Sequence, residues 1–157
     1  MSFDDQFNTL LDDYAVRHVA AAYCDAANRL SAREAAATYA PEGRLSMMGR
    51  PEVHGREAVE SMLAGTFARY DLVTQLTHSG LVRIDGNKAA ARWLVTELQV
   101  ALSGDRRFII GRYEDELVRL DEGWRFARRV FTARYVGDAD LSGGVVPDIP
   151  VLVDFEP

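Results

Sequence analysis

The chain has one cysteine, Cys24, so no internal disulfide can form and its stability must come from packing; a lone thiol suits a reducing compartment, and the cytoplasm is the expected location. No run approaches the roughly 18 apolar residues of a membrane-spanning helix. The opening Met1-Ser2-Phe3-Asp4-Asp5 has neither the positive start nor the apolar stretch of a secretory leader. No membrane partner is expected. Basic charge is also in short supply: eighteen Lys and Arg against twenty-four Asp and Glu give a net charge of −6. The arginines are scattered among acids rather than clustered, which opposes a nucleic-acid partner. Three dispersed histidines without cysteine partners give no metal-ligand spacing. Glycine-rich phosphate loops, a nucleophile elbow and a Cys-x-x-Cys pair are all missing, so nucleotide binding, serine hydrolysis and thiol redox chemistry have no support in the text.

What is present is enough for one core: 157 residues at 48% hydrophobic composition. Apolar residues recur at helical spacing from Asp5 to Leu30, and Ser31-Ala32-Arg33-Glu34 matches a capping box that opens a short second helix to about Tyr39. Pro41-Glu42-Gly43 predicts a break, Arg44 to Met48 a strand, and Gly55 to Tyr70 a third helix with Val59, Met62, Leu63 and Phe67 on one stripe. From there the period changes. Residues 71–84 and 88–102 read as strands ending in the turns Asp85-Gly86-Asn87 and Ser103-Gly104-Asp105. The text from Gly111 to Arg119, followed by Leu120-Asp121-Glu122-Gly123 and Trp124 to Phe131, reads as two more.

The expected class is α+β: three N-terminal helices packed on a curved, mostly antiparallel sheet, with an apolar pocket between them. Residues 1–137 form the domain. The tail 138–157 is rich in Gly, Pro and Asp yet holds Val145, Ile149, Leu152 and Phe155, and is expected as an extended arm on the domain or a neighbour.

Several polar residues fall where a strand or helix faces the core. Glu97 sits mid-strand among apolar neighbours and is either a pocket carboxylate or the partner of Arg112 or Arg128. Tyr113 either donates to a substrate carbonyl or is a sheet aromatic with a wet tip, and Trp93 lines a cavity or fills the core. Asp25 is a buried acid–base group or an ordinary helix-surface acid. His78 is a pocket base or a satisfied surface histidine, while His18 and His54 read as structural.

Tyr23 with the Ala40-Pro41 turn, the strand Gly111-Arg112-Tyr113-Glu114-Asp115, and Gly123-Trp124-Arg125-Phe126 together resemble the SnoaL-like branch of the nuclear-transport-factor-two-like, or cystatin-like, superfamily, over roughly residues 8–136. Scytalone dehydratase, ketosteroid isomerase and polyketide cyclases belong to that group. The resemblance implies a cone-shaped α+β barrel with an apolar pocket and no organic cofactor, and leaves the reaction open; the leading expectation is a small hydrophobic, cyclic substrate undergoing proton abstraction with elimination, isomerisation or ring closure. Dehydratase-like members pair an aspartate late in the first helix with a histidine on the first long strand. The aspartate position falls here on Asn28, an amide that can orient a substrate or water but cannot take a proton near neutral pH. Asp25, three residues earlier, is the substitute carboxylate. The histidine position falls on Gln75 when counted from the hairpin and on His78 when read from the local Thr77-His78 pair. These two face opposite sides of a regular strand unless a bulge intervenes.

The leading expectation is thus a lyase, isomerase or cyclase with His78 as base, Asn28 and Tyr23 orienting the substrate, and Asp25 or Glu97 as the second proton-transfer group. The alternatives are a non-catalytic ligand-binding or dimerisation module, and an epoxide-type hydrolase holding water between Asn28 and a strand carboxylate. A homodimer is expected in each case.

Overall fold

The computed structural model describes residues 2–138 and the two-residue strand Gly144–Val145. In chain order the elements are α1 (Phe3–Asn28), α2 (Ala32–Ala37), β1 (Tyr39–Met47), β2 (Val53–His54), α3 (Arg56–Phe67), β3 (Tyr70–Asp85), β4 (Lys88–Ala101), β5 (Arg106–Leu120), β6 (Gly123–Gly137) and β7 (Gly144–Val145). The α+β class and the three helices agree with the sequence reading. The rest of the expected arm, residues 139–143 and 146–157, lies outside the described residues.

Helix α1 begins at a capping box that the sequence reading placed elsewhere. Ser2 Oγ accepts from the Asp5 amide at 3.1 Å and Asp5 Oδ2 accepts from the Ser2 amide at 2.9 Å, bonds that hold the Asp5 carboxyl below its ordinary range. At Ser31 no box forms: Ser31 Oγ donates to Glu34 instead of reaching the backbone, and Arg29 grips the same carboxylate. Helix α2 stops at Ala37 because Tyr39 already pairs with Phe126 of β6. Strand β1 therefore runs through Pro41-Glu42-Gly43, where a break was expected. An irregularity between Tyr39 and Arg44 takes up the proline, which has no N–H for a ladder.

The sheet order is β2-β1-β6-β5-β4-β3, with β7 beside β6. Only β1 and β6 run parallel. The four long strands β3 to β6 form the expected meander, bent by irregularities at Thr77/Gly80, Ile110/Gly111 and Glu116/Leu117. The cone stays unclosed, with β2 and β3 as its edges. Two glycines permit the bending. A Cβ on Gly80 would lie 2.2 Å from Trp93 Cε3, and one on Gly111 would lie 2.7 Å from the Phe131 ring. No helix among the described residues is long and apolar enough to cross a membrane.

Helix α1 covers the concave face, burying Val16, Val19, Ala20, Tyr23, Ala26 and Ala27. Its alanines let the helix approach the strands closely, which is why a helix with many small residues serves as the cover.

Candidate active site in the cone

The interior divides into two halves along the strands. In the narrow half, Asp115 of β5 and Arg129 of β6 are opposite each other and buried, at 0% and 1% exposure. Arg129 donates from Nε and Nη2 to the two Asp115 oxygens, each at 2.8 Å, and the Trp93 indole N–H donates to Oδ2 at 2.8 Å. The guanidinium carbon lies 3.9 Å from the Tyr113 ring centroid, 4.0 Å from that of Phe126 and 4.4 Å from that of Tyr23. Burial works against the Arg129 charge, but Asp115 and its hydrogen bonds outweigh it and move the pKa above the usual arginine value. Every charge here is matched, as a buried pair requires.

Three phenols border this network. Tyr23, Tyr39 and Tyr113 all have pKa values raised primarily by burial, with Arg129 opposing the rise. They are therefore neutral hydrogen-bonding groups at ordinary pH. The Tyr39 hydroxyl has no hydrogen-bond partner among the described residues.

In the wide half, strand register places Gln75 of β3 beside Glu97 of β4, both pointing inward. Gln75 Nε2 donates to Glu97 Oε2 at 2.7 Å and to the Tyr113 hydroxyl at 3.0 Å, and Gln99 Nε2 donates to Glu97 Oε1. The half-buried Glu97 thus has one amide donor on each oxygen and no cationic partner among the described residues. Gln75 is 3% exposed, and its Oε1 is buried without a partner among them. Such an orphan acceptor costs about 1–3 kcal/mol and is a mark of a site rather than of plain core.

Above this group the cone opens into a cavity of about 710 Å³ lined by Met47, Tyr70, Gln99, Ile109, Phe131 and Ala133, among others. Gln99 both forms its wall and binds Glu97, so the carboxylate lies one hydrogen bond behind an apolar chamber. Two other depressions are found, about 670 Å³ near Arg44, Arg83 and Lys88, and about 520 Å³ along α1 and β3. Among the described residues no group of three or more His, Cys, Asp or Glu side chains could hold a metal ion.

The α1–β3 groove brings together the other residues singled out from the sequence. Asn28 Oδ1 accepts from the Gln75 amide at 2.6 Å while Nδ2 donates to the Gln75 carbonyl at 3.0 Å, and Cys24 Sγ donates to that carbonyl at 3.0 Å. Asn28 thus supplies the missing neighbour of an edge strand, presenting a donor and an acceptor as another strand would. An ionised carboxylate, which only accepts, could not do both. Asp25, with a side chain 68% exposed, pairs with Arg29 at 2.8 Å on the solvent side. His78 is exposed on the outer face, its Nε2 2.8 Å from Thr96 Oγ1.

Of the expected site residues, Tyr23, Gln75, Glu97 and Tyr113 meet inside the cone. Trp93 serves the narrow-half network. Asn28, Asp25 and His78 line the α1–β3 groove together with Gln75 and Trp93, and none of the expected residues lines the 710 Å³ cavity itself. Between the two candidates on β3, Gln75 is the inward one, and the extra residue between Thr77 and Gly80 falls at His78-Ser79 itself. Glu97 pairs with neither Arg112 nor Arg128: Arg128 instead holds Glu52 at 2.8 Å, and Arg112 lies beside Glu114, 3.8 Å away. Gln99 and Arg129 were missed. Gln99 was legible, two residues beyond Glu97 and hence on its face. Arg129 was not, because the irregularity in β5–β6 pairing at Glu116/Leu117 resets which β6 residues point inward.

The same architecture occurs in solved structures. A candidate scytalone dehydratase from Novosphingobium aromaticivorans DSM 12444 superposes with a TM-score of 0.80 at 18% identity, over 96% of this chain and 99% of that one. The hexachlorocyclohexane dehydrochlorinase LinA-type3 from Novosphingobium barchaimii LL02 gives 0.79 at 14%, over 90% and 99%. An NTF2-like protein with a cystatin-like fold from Novosphingobium aromaticivorans gives 0.70 at 21%, over 88% and 91%. At these identities the likeness establishes the fold alone. No curated protein matches the chain. The sequence profile of the SnoaL-like domain matches residues 8–130, most of the length over which the helices and the meander enclose the cone, and the chain belongs to that family.

Proposed function

We propose that the protein is a small-molecule acid–base enzyme that eliminates, isomerises or cyclises a hydrophobic cyclic compound, with Glu97 as the proton-transfer group. The observation that carries this reading is a carboxylate inside the cone that no cation among the described residues neutralises, held by two amides of which one, Gln99, lines an apolar cavity. With one donor on each oxygen, Glu97 keeps acceptor capacity for a substrate proton. Rotation of the Gln99 side chain opens Oε1 toward the chamber. Glu97 takes a proton from an activated C–H bond; it then returns it to another carbon in isomerisation, or to the departing group or solvent in elimination. Gln75 and Tyr113 fix the carboxylate and form the polar floor on which the reacting end of the ring rests.

A non-catalytic binding module is the second reading, and one observation favours it: Asn28, at the position where dehydratase-like members carry an acid, has both polar atoms engaged with the Gln75 backbone. The same engagement weighs against a hydrolase that holds water on Asn28.

Hydrogen–deuterium exchange separates the readings. Polycyclic ketones incubated with the protein in heavy water acquire deuterium beside the carbonyl if Glu97 is a base. Glu97→Gln, which keeps the shape and removes the base, lowers that rate by about 10²- to 10⁴-fold. Ligands that bind without exchange favour the module.

The homodimer belongs to the same proposal. Phe3, Phe7, Leu10 and Tyr14 are exposed on α1 at 80%, 51%, 64% and 69%, in a heptad-like stripe that a second copy can cover. Sedimentation of the wild type as a monomer overturns the dimer; a dimer that Leu10→Asp dissociates supports this face.

A further inference from the structure

We infer that the compound taken up by the cone is an acid: an apolar ring system whose carboxylate, or an equivalent anionic group, stays at the mouth between Arg50, Arg69 and Arg107. This deepens the proposed function and rests on the same cavity. The three arginines line it at its open end, and each is exposed. None has a carboxylate within salt-bridge distance among the described residues. Arg50 donates from Nη1 to Thr66 Oγ1 at 2.8 Å, and Arg69 lies 5.9 Å from the Tyr70 ring centroid. Elsewhere Arg17, Arg119, Arg128 and Arg129 each hold an acid at 2.9 Å or less. In a chain with six more acids than bases, 24 against 18, three arginines around one opening with no acid partner among the described residues concentrate positive potential there. Among the described residues of the lining, the one acid, Asp105, is exposed and accepts from Ser103.

Register fixes the orientation of the bound molecule. Arg107 is opposite Gln99, and Ile109 is opposite Glu97, so the arginine stands two residues further along the strand than the carboxylate, roughly 7 Å toward solvent. Arginine forks pair with carboxylates, while Glu97 repels one. An acid therefore enters ring first, its charge held outside and its apolar body against Ile109 and Phe131. The carbon presented to Glu97 is then one ring or so away from the acid group. Neutral compounds of the same shape lack this anchor.

Matched pairs test the idea: naphthoate, phenanthrene carboxylate and a steroid carboxylate, each against its methyl ester, with affinity measured by calorimetry at low and high salt. At least one acid is expected to bind about tenfold or more tighter than its ester, the worth of a charge-assisted hydrogen bond. Added salt and Arg107→Gln or Arg69→Gln should erase that advantage and leave the ester unchanged. Arg83→Gln, at the far end of the cone, should have no effect. The inference is overturned if no acid in the panel exceeds its ester, or if Arg83→Gln weakens acids as much as Arg107→Gln does. Glu97→Gln keeps the preference for acids whether or not Glu97 is a base. Loss of exchange chemistry and loss of anion recognition are therefore separate results.

Discussion

Asp115 and Glu97 sit on neighbouring strands, β5 and β4, and both point into the cone, yet their surroundings make them different groups. Asp115 is fully buried, and its oxygens are taken by a guanidinium and an indole N–H. Glu97 is half-buried, held by neutral amides, and adjoins an open chamber. A matched buried charge costs little to keep and much to break, and it has nothing left to offer a substrate. An amide-held carboxylate at a cavity wall contributes less to stability and keeps lone pairs for chemistry. The division follows surroundings: the Tyr23, Tyr113 and Phe126 rings pack on the Arg129 that holds Asp115, whereas Glu97 lies one hydrogen bond behind an open chamber.

The sharpest way to break this comparison is to remove each carboxylate. Asp115→Ala leaves Arg129 buried without a counter-charge and should cost about 3–5 kcal/mol in urea denaturation, a large part of a domain's typical stability. Glu97→Gln should change the same measurement by less than about 1 kcal/mol, since a neutral amide can replace one acceptor there. Equal losses would dissolve the distinction between the two halves.

A third carboxylate, introduced by Asn28→Asp, probes the outer groove. The acid keeps the bond from the Gln75 amide but sets an oxygen against the Gln75 carbonyl, where Asn28 now donates. Stability should fall by about 1–3 kcal/mol, with faster amide exchange at the β3 edge. A variant as stable as the wild type would mean that this clamp matters little.

Alkali tests the phenols between the two halves. Tyr23, Tyr39 and Tyr113 have raised pKa values in the folded protein, chiefly from burial. The unfolded chain loses these protons first, so their contribution is fully present below the ordinary tyrosine value of 10.0 and is lost as pH rises above it. Phenolate absorbance from these three should appear together with unfolding. Glu97 adds to the rise at Tyr23 and Tyr113, so Glu97→Gln should shift their ionisation slightly downward. The smallest effect is expected at His78. His78→Ala should leave exchange activity within about twofold and stability within about 0.5 kcal/mol, as for an exposed position. A collapse of activity would move the proposed chemistry to the outer groove.

Much of the scaffold was legible because its signals are local. Turn residues at Asp85-Gly86-Asn87 and Ser103-Gly104-Asp105 marked the hairpins, and the period-2 text of β4 put Trp93 and Glu97 on one face, where they are. The site was legible only in part. Tyr23, Gln75, Glu97 and Tyr113 could be named, but counting alone could not tell that Gln75 rather than His78 faces inward. Nor could it tell that Asn28 is engaged with the strand backbone. The Ser31 box failed for a related reason: the motif was complete, but a nearby arginine took the glutamate.

By itself, the sequence determined the order of helices and strands, the family, and the inventory of polar groups that have no comfortable place in a core, because periodicity, turn chemistry and composition act over a few residues. Only the tertiary structure decided which of those groups neutralise one another. Asp115 finds Arg129 across a strand pair whose register slips at Glu116/Leu117, while Glu97 meets Gln75 and Gln99 and, among the described residues, no cation. Pairing across strands depends on bulges and on which strands become neighbours, and those are settled by packing of the whole sheet beneath α1 rather than by any single stretch of chain.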